Sequence, residues 1–398
     1  MISKNKTLKV TGIVVEYNPF HNGHRYHIAK ARELTACDVL IAIMSPTFMQ
    51  RGEPAILNKF IRTRWALEND VDLVVELPTY YALESAERFA QGAITLLNEL
   101  GVDYLCFGSE SNDITNLKRA AALNQNERYQ AKVKTYVKKG IRYANACNEA
   151  LKDFNLEPIT QSNDILALSY LQAIAKYHFD ITPVAIKRTN AFLDTALEQN
   201  IVSAQAIRQA LWQQKDITRQ TPVAPDIIKH QAELVFLDDY FPLLKYQITC
   251  MGLKQLQTIH HMVEGLEHKI KKEINHVHSL TELVDKLSSK RYPKTRVQRL
   301  LIYILLNLTG EEIRTINIDY LRILGMNARG QNYLKQIKKH TDYQLVTSLG
   351  EYESTGLTLE LRAAQIYALA KKETHYLNAK EYQQHVIIVN NKAQKKHV

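Results

Sequence analysis

Two histidines stand three positions apart in the stretch GIVVEYNPFHNGH, which covers residues 12–24. Apolar residues lead into an Asn-Pro turn, so the pattern predicts a strand that ends just before the first turn of a helix. Residues i and i+3 share one face of a helix, so His21 and His24 should point the same way. A helix N-terminus offers free N–H groups and the positive end of its dipole to an anion. We therefore predict that both imidazoles donate hydrogen bonds to phosphate and stabilise charge that develops during phosphoryl chemistry.

The residues around this pair also suit a phosphate site. Gly23 removes a side chain where a phosphate must come close, and Asn18-Pro19 fixes the turn that aims the helix. The alternative is that His21 and His24 only cap or pack the helix. Their position directly after the first predicted strand favours the functional interpretation.

The first half of the chain alternates short apolar runs with helical patterns. Apolar strands separated by helices predict a parallel sheet covered on both faces, and right-handed crossovers make it doubly wound. Such a sheet binds ligands outside the carboxyl ends of its strands. A helical insertion, at about 113–178, separates the fourth and fifth strands. The predicted strands are residues 8–17, 38–45, 72–78, 103–109 and 181–188.

From about residue 225 onward the periodicity is helical, with almost no strand signal. The predicted fold class is therefore α/β, a doubly wound parallel Rossmann-like sheet followed by a C-terminal all-helical domain. We expect the first domain to cover 1–225 and the second, basic domain to cover 226–398.

Composition narrows the class of protein. The 398 residues are enough for two domains, and 45% hydrophobic with 23% charged residues is typical of a soluble globular protein. The net charge of +10 suits a partner that carries phosphates. Four scattered cysteines, with no CxxC pair and no histidine cluster at metal-ligand spacing, argue for reduced thiols and against a structural zinc site. Without a recognisable signal peptide or membrane helix, we expect a cytoplasmic protein with no membrane contact.

Seven motifs follow one another along nearly the whole chain. They are GIVVEYNPFHNGH (12–24), QRGEPA (50–55), FGSE (107–110), SNDIL (162–166), IKR (186–188), SAQAIR (203–208) and KRYPKTRVQR (290–299). The first resembles the HxGH motif of the nucleotidyltransferase superfamily, and together they resemble the bacterial tRNA(Met) cytidine acetate ligase family. That resemblance implies a nucleotidyltransferase sheet on which ATP and acetate form acetyl-adenylate and pyrophosphate. It also implies that the acetyl group then passes to N4 of the wobble cytidine of elongator tRNA(Met), forming N4-acetylcytidine.

The strand-to-helix stretch and three later positions form the predicted ATP site, with the two histidines as catalytic residues. Gly108 would let the nucleotide lie against bare backbone, Asn163 matches a family position that contacts ATP, and the Arg188 guanidinium would meet phosphate. Mg²⁺ is expected with ATP, and Glu16 is a candidate indirect ligand. The predicted ATP-binding residues are Val14, Val15, Glu16, Tyr17, Asn18, Pro19, Phe20, His21, Asn22, Gly23, His24, Gly108, Asn163 and Arg188.

Two further pairs of residues could contact phosphate groups. SAQAIR resembles the helix start that many nucleotidyltransferases set against the β- and γ-phosphates, which makes Ser203 and Arg208 candidates. Lys59 and Arg62 lie one helical step apart and could face the pyrophosphate or the RNA. They could equally belong to a solvated helix face.

A basic segment, residues 289–299, is the predicted tRNA-binding element. Its cations would hold RNA phosphates without reading sequence, and its tyrosine could stack on an unpaired base. The alternative is a solvated helix junction. The predicted tRNA-binding residues are Lys290, Arg291, Tyr292, Lys294, Arg296 and Arg299.

Two other functions remain open from the sequence, and no obligate protein partner is inferred. One is a small-molecule adenylyltransferase whose helical domain serves for oligomerisation, although such an enzyme has no need of the basic segment. The other is a non-catalytic RNA-binding factor gated by a nucleotide, although a pure binder has no use for transition-state donors. The chain departs from the family pattern at Pro46, at Gln205 and over 189–194, which affects the phosphate and acetate pockets.

Overall fold

The computed structural model describes residues 8–188, 200–370 and 381–390. Within them, eight strands form one sheet in the order β5-β4-β1-β2-β3-β6-β7, and β8 also pairs with β6. The first five strands are mutually parallel, whereas β6 runs antiparallel to β3. The strands are β1 Val10–Val15, β2 Val39–Met44, β3 Leu73–Glu76, β4 Tyr104–Ser109, β5 Thr182–Lys187, β6 Tyr320–Asn327, β7 Gln344–Val346 and β8 Ile387–Val389.

The five strands predicted from the sequence are confirmed, and so is the doubly wound parallel sheet. Strand order runs outward from β1 in both directions, through β2 to β3 and through β4 to β5. The change of direction lies between β1 and β4, which is where such sheets bind ligands.

Helices cover both faces of the sheet because its strands are apolar on both faces. Ile41 and Ile43 pack in one core with Ile94 of a covering helix, whereas Leu40 packs on the opposite face with Trp65. The helices are α1 Asn22–Thr35, α2 Lys59–Glu68, α3 Thr79–Ala82, α4 Ala86–Glu99, α5 Ile114–Leu123, α6 Glu127–Lys138, α7 Tyr143–Lys152, α8 Ser162–Tyr177, α9 Ala204–Trp212, α10 Ala224–Lys229, α11 Phe241–Cys250, α12 Leu253–Thr258, α13 Leu266–Glu273, α14 Leu280–Leu287, α15 Lys294–Leu305, α16 Gly310–Thr315, α17 Ala328–Ile337 and α18 Thr355–Ala368.

The second half of the chain is mostly helical, as predicted, but it also supplies β6, β7 and β8. Strand β6, with the sequence YLRILGMN, is buried along its whole length and covers the edge of β3. A short apolar run of this kind cannot be told from a buried helix by its period alone, which is why the sequence did not reveal it. The domain boundary at 225/226 stays a prediction. Strand β6 comes from the second half of the chain, yet it pairs with β3 in the sheet of the first half.

A separate apolar core holds α11, α13, α14 and α15 together in the second half. The Phe48 and Leu83 side chains of the first half are buried in that same core. Among the described residues, no helix is both long and apolar enough to cross a membrane.

Candidate nucleotide-binding site

A cavity of about 580 Å³ opens at the carboxyl ends of β1, β4 and β5. This is the point at which the strand order changes direction, so the topology alone places a ligand site here. The predicted residues that line the cavity are Val14, Val15, Glu16, Tyr17, Asn18, His21, Gly23, His24, Gly108, Asn163, Arg188, Ser203, Arg208 and Arg299.

The histidine pair forms a reciprocal cap at the start of α1. The backbone N–H of Gly23 donates to His21 Nδ1 at 3.0 Å, and the backbone N–H of His21 donates to His24 Nδ1 at 3.3 Å. The two rings stack with centroids 3.7 Å apart. Because each Nδ1 accepts a hydrogen bond, each neutral ring carries its hydrogen on Nε2. Capping and phosphate binding are therefore compatible, since they use different nitrogens.

Burial keeps both imidazoles neutral near pH 7. It lowers the pKa of His21 to about 3, with the positive charges of Arg188 and Arg208 adding to the effect. Burial also holds the pKa of His24 well below its usual value, and the neighbouring His21 and Arg188 act in the same direction. The pair therefore offers hydrogen-bond donors in place of positive charge, and Arg188 supplies the charge.

Arg188, Asn163 and Glu110 form a hydrogen-bonded chain along one wall. The Arg188 guanidinium donates to Asn163 Oδ1 at 3.1 Å, and Asn163 Nδ2 donates to the Glu110 carboxylate at 2.6 Å. The same carboxylate accepts the backbone N–H groups of Asn163 and Asp164 at the start of α8. These contacts fix the amide of Asn163 and the direction of Arg188.

Gly108 makes room for a side chain of the protein, whereas the sequence predicted that it makes room for the nucleotide. A Cβ atom at Gly108 would lie 3.0 Å from Cδ and 3.1 Å from Cγ of Arg188. The missing side chain thus makes room for the stem of Arg188 as it passes over β4. Gly108 still lines the cavity, but its side-chain position faces the arginine.

The opposite wall joins α9 to the loop after β1. Ser203 caps α9 by accepting the backbone N–H of Ala206 at 3.1 Å. Arg208 donates to the carbonyl of Asn18 at 2.8 Å and pairs with the Glu53 carboxylate. Both predicted phosphate candidates of this helix therefore reach the cavity while they hold the wall together.

Three residues of the predicted ATP stretch lie behind the cavity, not in its lining. Phe20 is buried, and its ring centroid is 4.8 Å from Tyr17 and 5.7 Å from His24. The Asn22 amide donates to the carbonyls of Asn200 and Arg219 at 2.8 and 2.7 Å. With Pro19, these residues support the loop that carries the histidines.

The prediction that Lys59 faces phosphate is wrong. Its ammonium is buried 2.6 Å from the Glu76 carboxylate and 3.0 Å from that of Glu381. Arg62 is also buried, and its guanidinium donates to backbone carbonyls, among them that of Glu16 at 2.7 Å. The physical reason is that α2 packs against β3 and β6, so this face of the helix points into the protein.

His27 is a cavity residue that the sequence analysis missed. It lies one helical turn beyond His24, and burial lowers its pKa to about 4. Its Nε2 atom is buried and has no hydrogen-bond partner among the described residues. The HxxHxxH spacing of residues 21, 24 and 27 is the signal that would have identified it.

The basic segment reaches the rim of the cavity through α15. Arg299 lines the cavity, as Thr295 does, and its guanidinium donates to the carbonyl of Gln50 at 3.1 Å. The two chain segments touch closely, because a Cβ atom at Gly52 would lie 2.5 Å from the backbone nitrogen of Arg299. Of the six residues predicted to bind tRNA, Arg299 is therefore the one that belongs to the cavity.

The other residues of the basic segment lie on the surface next to this rim. The guanidinium groups of Arg291 and Arg296 lie 5.5 and 5.4 Å from the ring centroid of Tyr292, which is half-buried. Lys290 is exposed, and exposed Lys294 forms an ion pair of 2.5 Å with Asp285. Two cations thus lie close to the tyrosine ring.

Of the three departures from the family pattern, Pro46 and Gln205 lie among the described residues. The carbonyl of Pro46 accepts a hydrogen bond from the buried Arg62, and Gln205 lies in the first turn of α9. Residues 189–194 lie outside the described residues.

Comparison with known proteins agrees with this geometry. The family model of HIGH nucleotidyl transferases matches residues 8–383. The tRNA(Met) cytidine acetate ligase of Anoxybacillus flavithermus is 40% identical over 384 residues, which cover 92% of this chain and 94% of that protein. The crystal structure of apo Thermotoga maritima TmcAL, form I, superposes with a TM-score of 0.90 at 30% identity, covering 96% of this chain and all of that one. TmcAL bound with alpha-thio ATP gives a TM-score of 0.87 with the same identity and coverage.

Proposed function

This chain belongs to the tRNA(Met) cytidine acetate ligase family of HIGH nucleotidyltransferases, and from that premise we propose that the cavity at the ends of β1, β4 and β5 is its ATP site. The protein is an ATP-dependent ligase that modifies tRNA. One acetate oxygen attacks the α-phosphorus of ATP, pyrophosphate leaves, and acetyl-adenylate forms. The N4 amine of the wobble cytidine then attacks the acetyl carbon, AMP leaves and the amine loses a proton.

The observation that carries the assignment is the orientation of the histidine pair. His21 and His24 accept backbone N–H groups through Nδ1, so their Nε2–H groups remain for a ligand. Two neutral donors beside the Arg188 guanidinium suit phosphate oxygens, whose charge rises and shifts when pyrophosphate leaves. In this proposal both histidines are catalytic residues, and Arg188, which Asn163 orients, binds phosphate.

The excess of positive charge in the cavity supports an anionic ligand. Its lining carries five basic side chains against the two carboxylates of Glu16 and Glu53. A site lined by one sign of charge attracts the opposite sign, and ATP is strongly anionic. The five basic residues are Arg51, Lys187, Arg188, Arg208 and Arg299.

Mg²⁺ would enter with ATP, and the carboxylates present fit it. The ion is usually held by one or two carboxylates together with substrate phosphates, and it neutralises phosphate charge. Glu16 lines the cavity and accepts the backbone N–H of Gln50 at 2.9 Å through one oxygen. Burial raises its pKa, an effect that a bound cation would offset.

The tRNA is expected to approach along α15, where the basic segment meets the cavity. Arg291, Arg296 and Lys290 would contact RNA phosphates on the surface, and Arg299 would lie where the modified base enters. The contact between Gly52 and Arg299 supports this path, since it connects the RNA-facing helix with the wall of the ATP cavity. The ligase function accounts for both features, whereas a metabolite adenylyltransferase leaves the basic segment without a role. A cytoplasmic location and the absence of an obligate protein partner stay predictions.

Incorporation of labelled acetate into RNA tests the whole reaction. Purified protein is incubated with ATP, labelled acetate and unmodified elongator tRNA(Met), and the RNA is then digested to nucleosides. We expect label in N4-acetylcytidine from the wobble position, dependent on ATP and absent with the His24→Ala variant. Pyrophosphate release with another acid or metabolite, and no labelled cytidine, would instead identify a nucleotidyltransferase with a different acceptor.

A further inference from the structure

Two adjacent histidines and a buried glutamate meet away from the cavity, where the second half of the chain packs on the first. Glu84 precedes α4, and His260 and His261 lie between α12 and α13. Glu84 Oε1 is 2.7 Å from Nε2 of His260 and 3.2 Å from Nε2 of His261. One ligand atom from each of the three residues lies within 4.8 Å of the other two.

The backbone conformation brings the two imidazoles to the same carboxylate. His261 adopts a positive φ of 61°, in the left-handed region that non-glycine residues rarely occupy. Successive side chains of an extended chain would point to opposite sides, whereas these two ring centroids are only 4.0 Å apart. Such conformations cost free energy and tend to be found at functional sites.

Surrounding residues orient both the rings and the carboxylate. The centroid of the Tyr303 ring lies 5.0 Å from that of His260, in an edge-on arrangement, and 5.8 Å from that of His261, in a stacked arrangement. The backbone N–H of Ser85 donates to Glu84 Oε2 at 3.0 Å and holds the carboxylate so that Oε1 faces His260 and both oxygens lie within 3.3 Å of His261 Nε2. Metal sites in proteins commonly have such second-layer contacts, which hold the ligands in position.

We propose that Glu84, His260 and His261 bind a divalent transition-metal ion of the zinc type, with water completing its coordination. Two imidazole nitrogens and one carboxylate oxygen are a known ligand set for zinc with an open fourth position. Glu84 is almost fully buried, whereas the side chain of His261 is 41% exposed, so an ion and its water can reach the site from solvent. This inference goes beyond the ligase reaction and does not depend on it.

The ion would fasten the second half of the chain to the wall of the cavity. Ser85 and Ala86, which follow Glu84, line the cavity, and the Glu84 carbonyl accepts the Gln50 side chain at 3.0 Å. The sequence argued against a zinc site because it shows no histidine cluster at metal-ligand spacing, and Glu84 and His260 are 176 positions apart. Only the fold brings them together.

Titration of the metal-free full-length protein with Co²⁺ tests the site without any assay of activity. Co²⁺ in a four-coordinate site gives visible d–d absorption, and Zn²⁺ should displace it. We expect one equivalent to bind wild type, and Zn²⁺ to raise Tm in a concentration-dependent manner. His260→Ala and His261→Asn should each weaken binding by more than about 100-fold, since loss of a ligand exceeds the effect of losing an outer contact.

His268→Ala is the matched control, since this exposed histidine lies on the adjoining helix α13. It should bind Co²⁺ as wild type does. Asparagine at position 261 tolerates the left-handed backbone, so that variant should fold even if the alanine variant at 260 does not. The proposal is overturned if wild type shows no d–d bands and no Zn²⁺-dependent Tm. Thiolate charge-transfer bands, or wild-type affinity in His261→Asn, would overturn it as well, by locating the metal elsewhere.

Discussion

Two charged regions lie at the carboxyl ends of strands in the same sheet, and they differ in exposure: one lines an open cavity, whereas the other is buried. The cavity at β1, β4 and β5 combines neutral histidines with an excess of arginine. The other region, which we name the buried ionic cluster, consists of Lys59, Glu76, Arg322, Glu381 and Glu360. In it Arg322 lies 3.0 Å from both Glu76 and Glu381, and Glu360 accepts the Thr79 hydroxyl at 2.9 Å.

The difference between the two regions is in how their charges are compensated. In the buried ionic cluster the two cations face two carboxylates of their own chain, and burial raises the pKa of Glu360 so that it tends to stay protonated. In the cavity the positive charge exceeds the negative, and the imidazoles cannot take up a proton near pH 7. Charged residues at the end of a strand therefore predict a ligand site only where other side chains of the protein do not neutralise their charge.

Removing one charge from the buried ionic cluster should have the largest effect of all on stability. Lys59→Met leaves buried carboxylates without a partner, and we expect the free energy of unfolding to fall by about 3–5 kcal/mol in urea titration. The KM for ATP of the folded fraction should not change. The exposed Lys254→Met serves as control and should be near neutral. A raised KM for ATP with normal stability would return Lys59 to the phosphate site.

Removing one charge from the cavity should instead affect nucleotide binding. Arg188→Ala removes a charged hydrogen-bond donor worth about 1.5–3 kcal/mol, so we expect Kd for ATP to rise roughly 10- to 100-fold. Stability should change little, because the arginine contacts Asn163 at the edge of an open cavity. Isothermal titration measures the Kd. Arg188→Lys should restore only part of the affinity, since an ammonium cannot donate the paired hydrogen bonds of a guanidinium. Full recovery of affinity would show that this position requires only a positive charge.

The cavity histidines should make the fold sensitive to acid. When the pKa of a group is lower in the folded protein than in the unfolded chain, the unfolded chain takes up the proton first as pH falls. The stability present above the unfolded pKa is therefore lost as pH falls toward the folded pKa. For His21 this window runs from 6.5 down to about 3. About one pH unit below 6.5, wild type should have lost about 1.4 kcal/mol per histidine relative to the His21→Gln, His24→Gln double variant.

Urea unfolding of both proteins at neutral pH and at about one pH unit below 6.5 gives this difference directly. Equal losses in the two proteins would mean that the histidines are accessible to protons in the folded state. That result would contradict the claim that the cavity histidines act as neutral hydrogen-bond donors beside charged arginines.

The smallest effect is expected at the surface next to the cavity. The double variant Arg291→Ala, Arg296→Ala removes two phosphate contacts, so tRNA affinity should fall by roughly tenfold and the slope of log K against log salt should become shallower by roughly 1.5. Filter binding across a salt series measures both. The exposed Lys286→Ala on α14 is the control. An unchanged slope would make the basic segment an ordinary solvated surface.

The parts of this protein that local sequence determines were predictable. Continuous apolar runs identified strands β1 to β5, and the order of the motifs placed His24, Asn163 and Arg188 at one edge of the sheet. The reciprocal cap of His21 and His24 needs only residues three apart, so its location followed from spacing. These features depend on neighbours in the chain.

Features that depend on tertiary packing could not be read in the same way. Lys59 has the type and spacing of a phosphate ligand, but the packing of α2 on β6 decides which way it points. Strand β6 resembles a buried helix until β3 is seen to need a partner. Arg299 enters the cavity only because the loop at Gly52 fits closely against α15. In each case the deciding contact lies far away in the sequence.

The measurement that tests the role of the histidine pair most directly is acetate-dependent exchange of pyrophosphate into ATP, compared among wild type, His24→Ala and His24→Glu. Glutamate at this position can rebuild the helix cap, but it donates no hydrogen bond and repels phosphate. We expect the exchange rate to fall about 100- to 1,000-fold in both variants, with tRNA binding retained. Recovery of exchange in His24→Glu would show that His24 is only a cap, and would contradict its assignment as a catalytic residue.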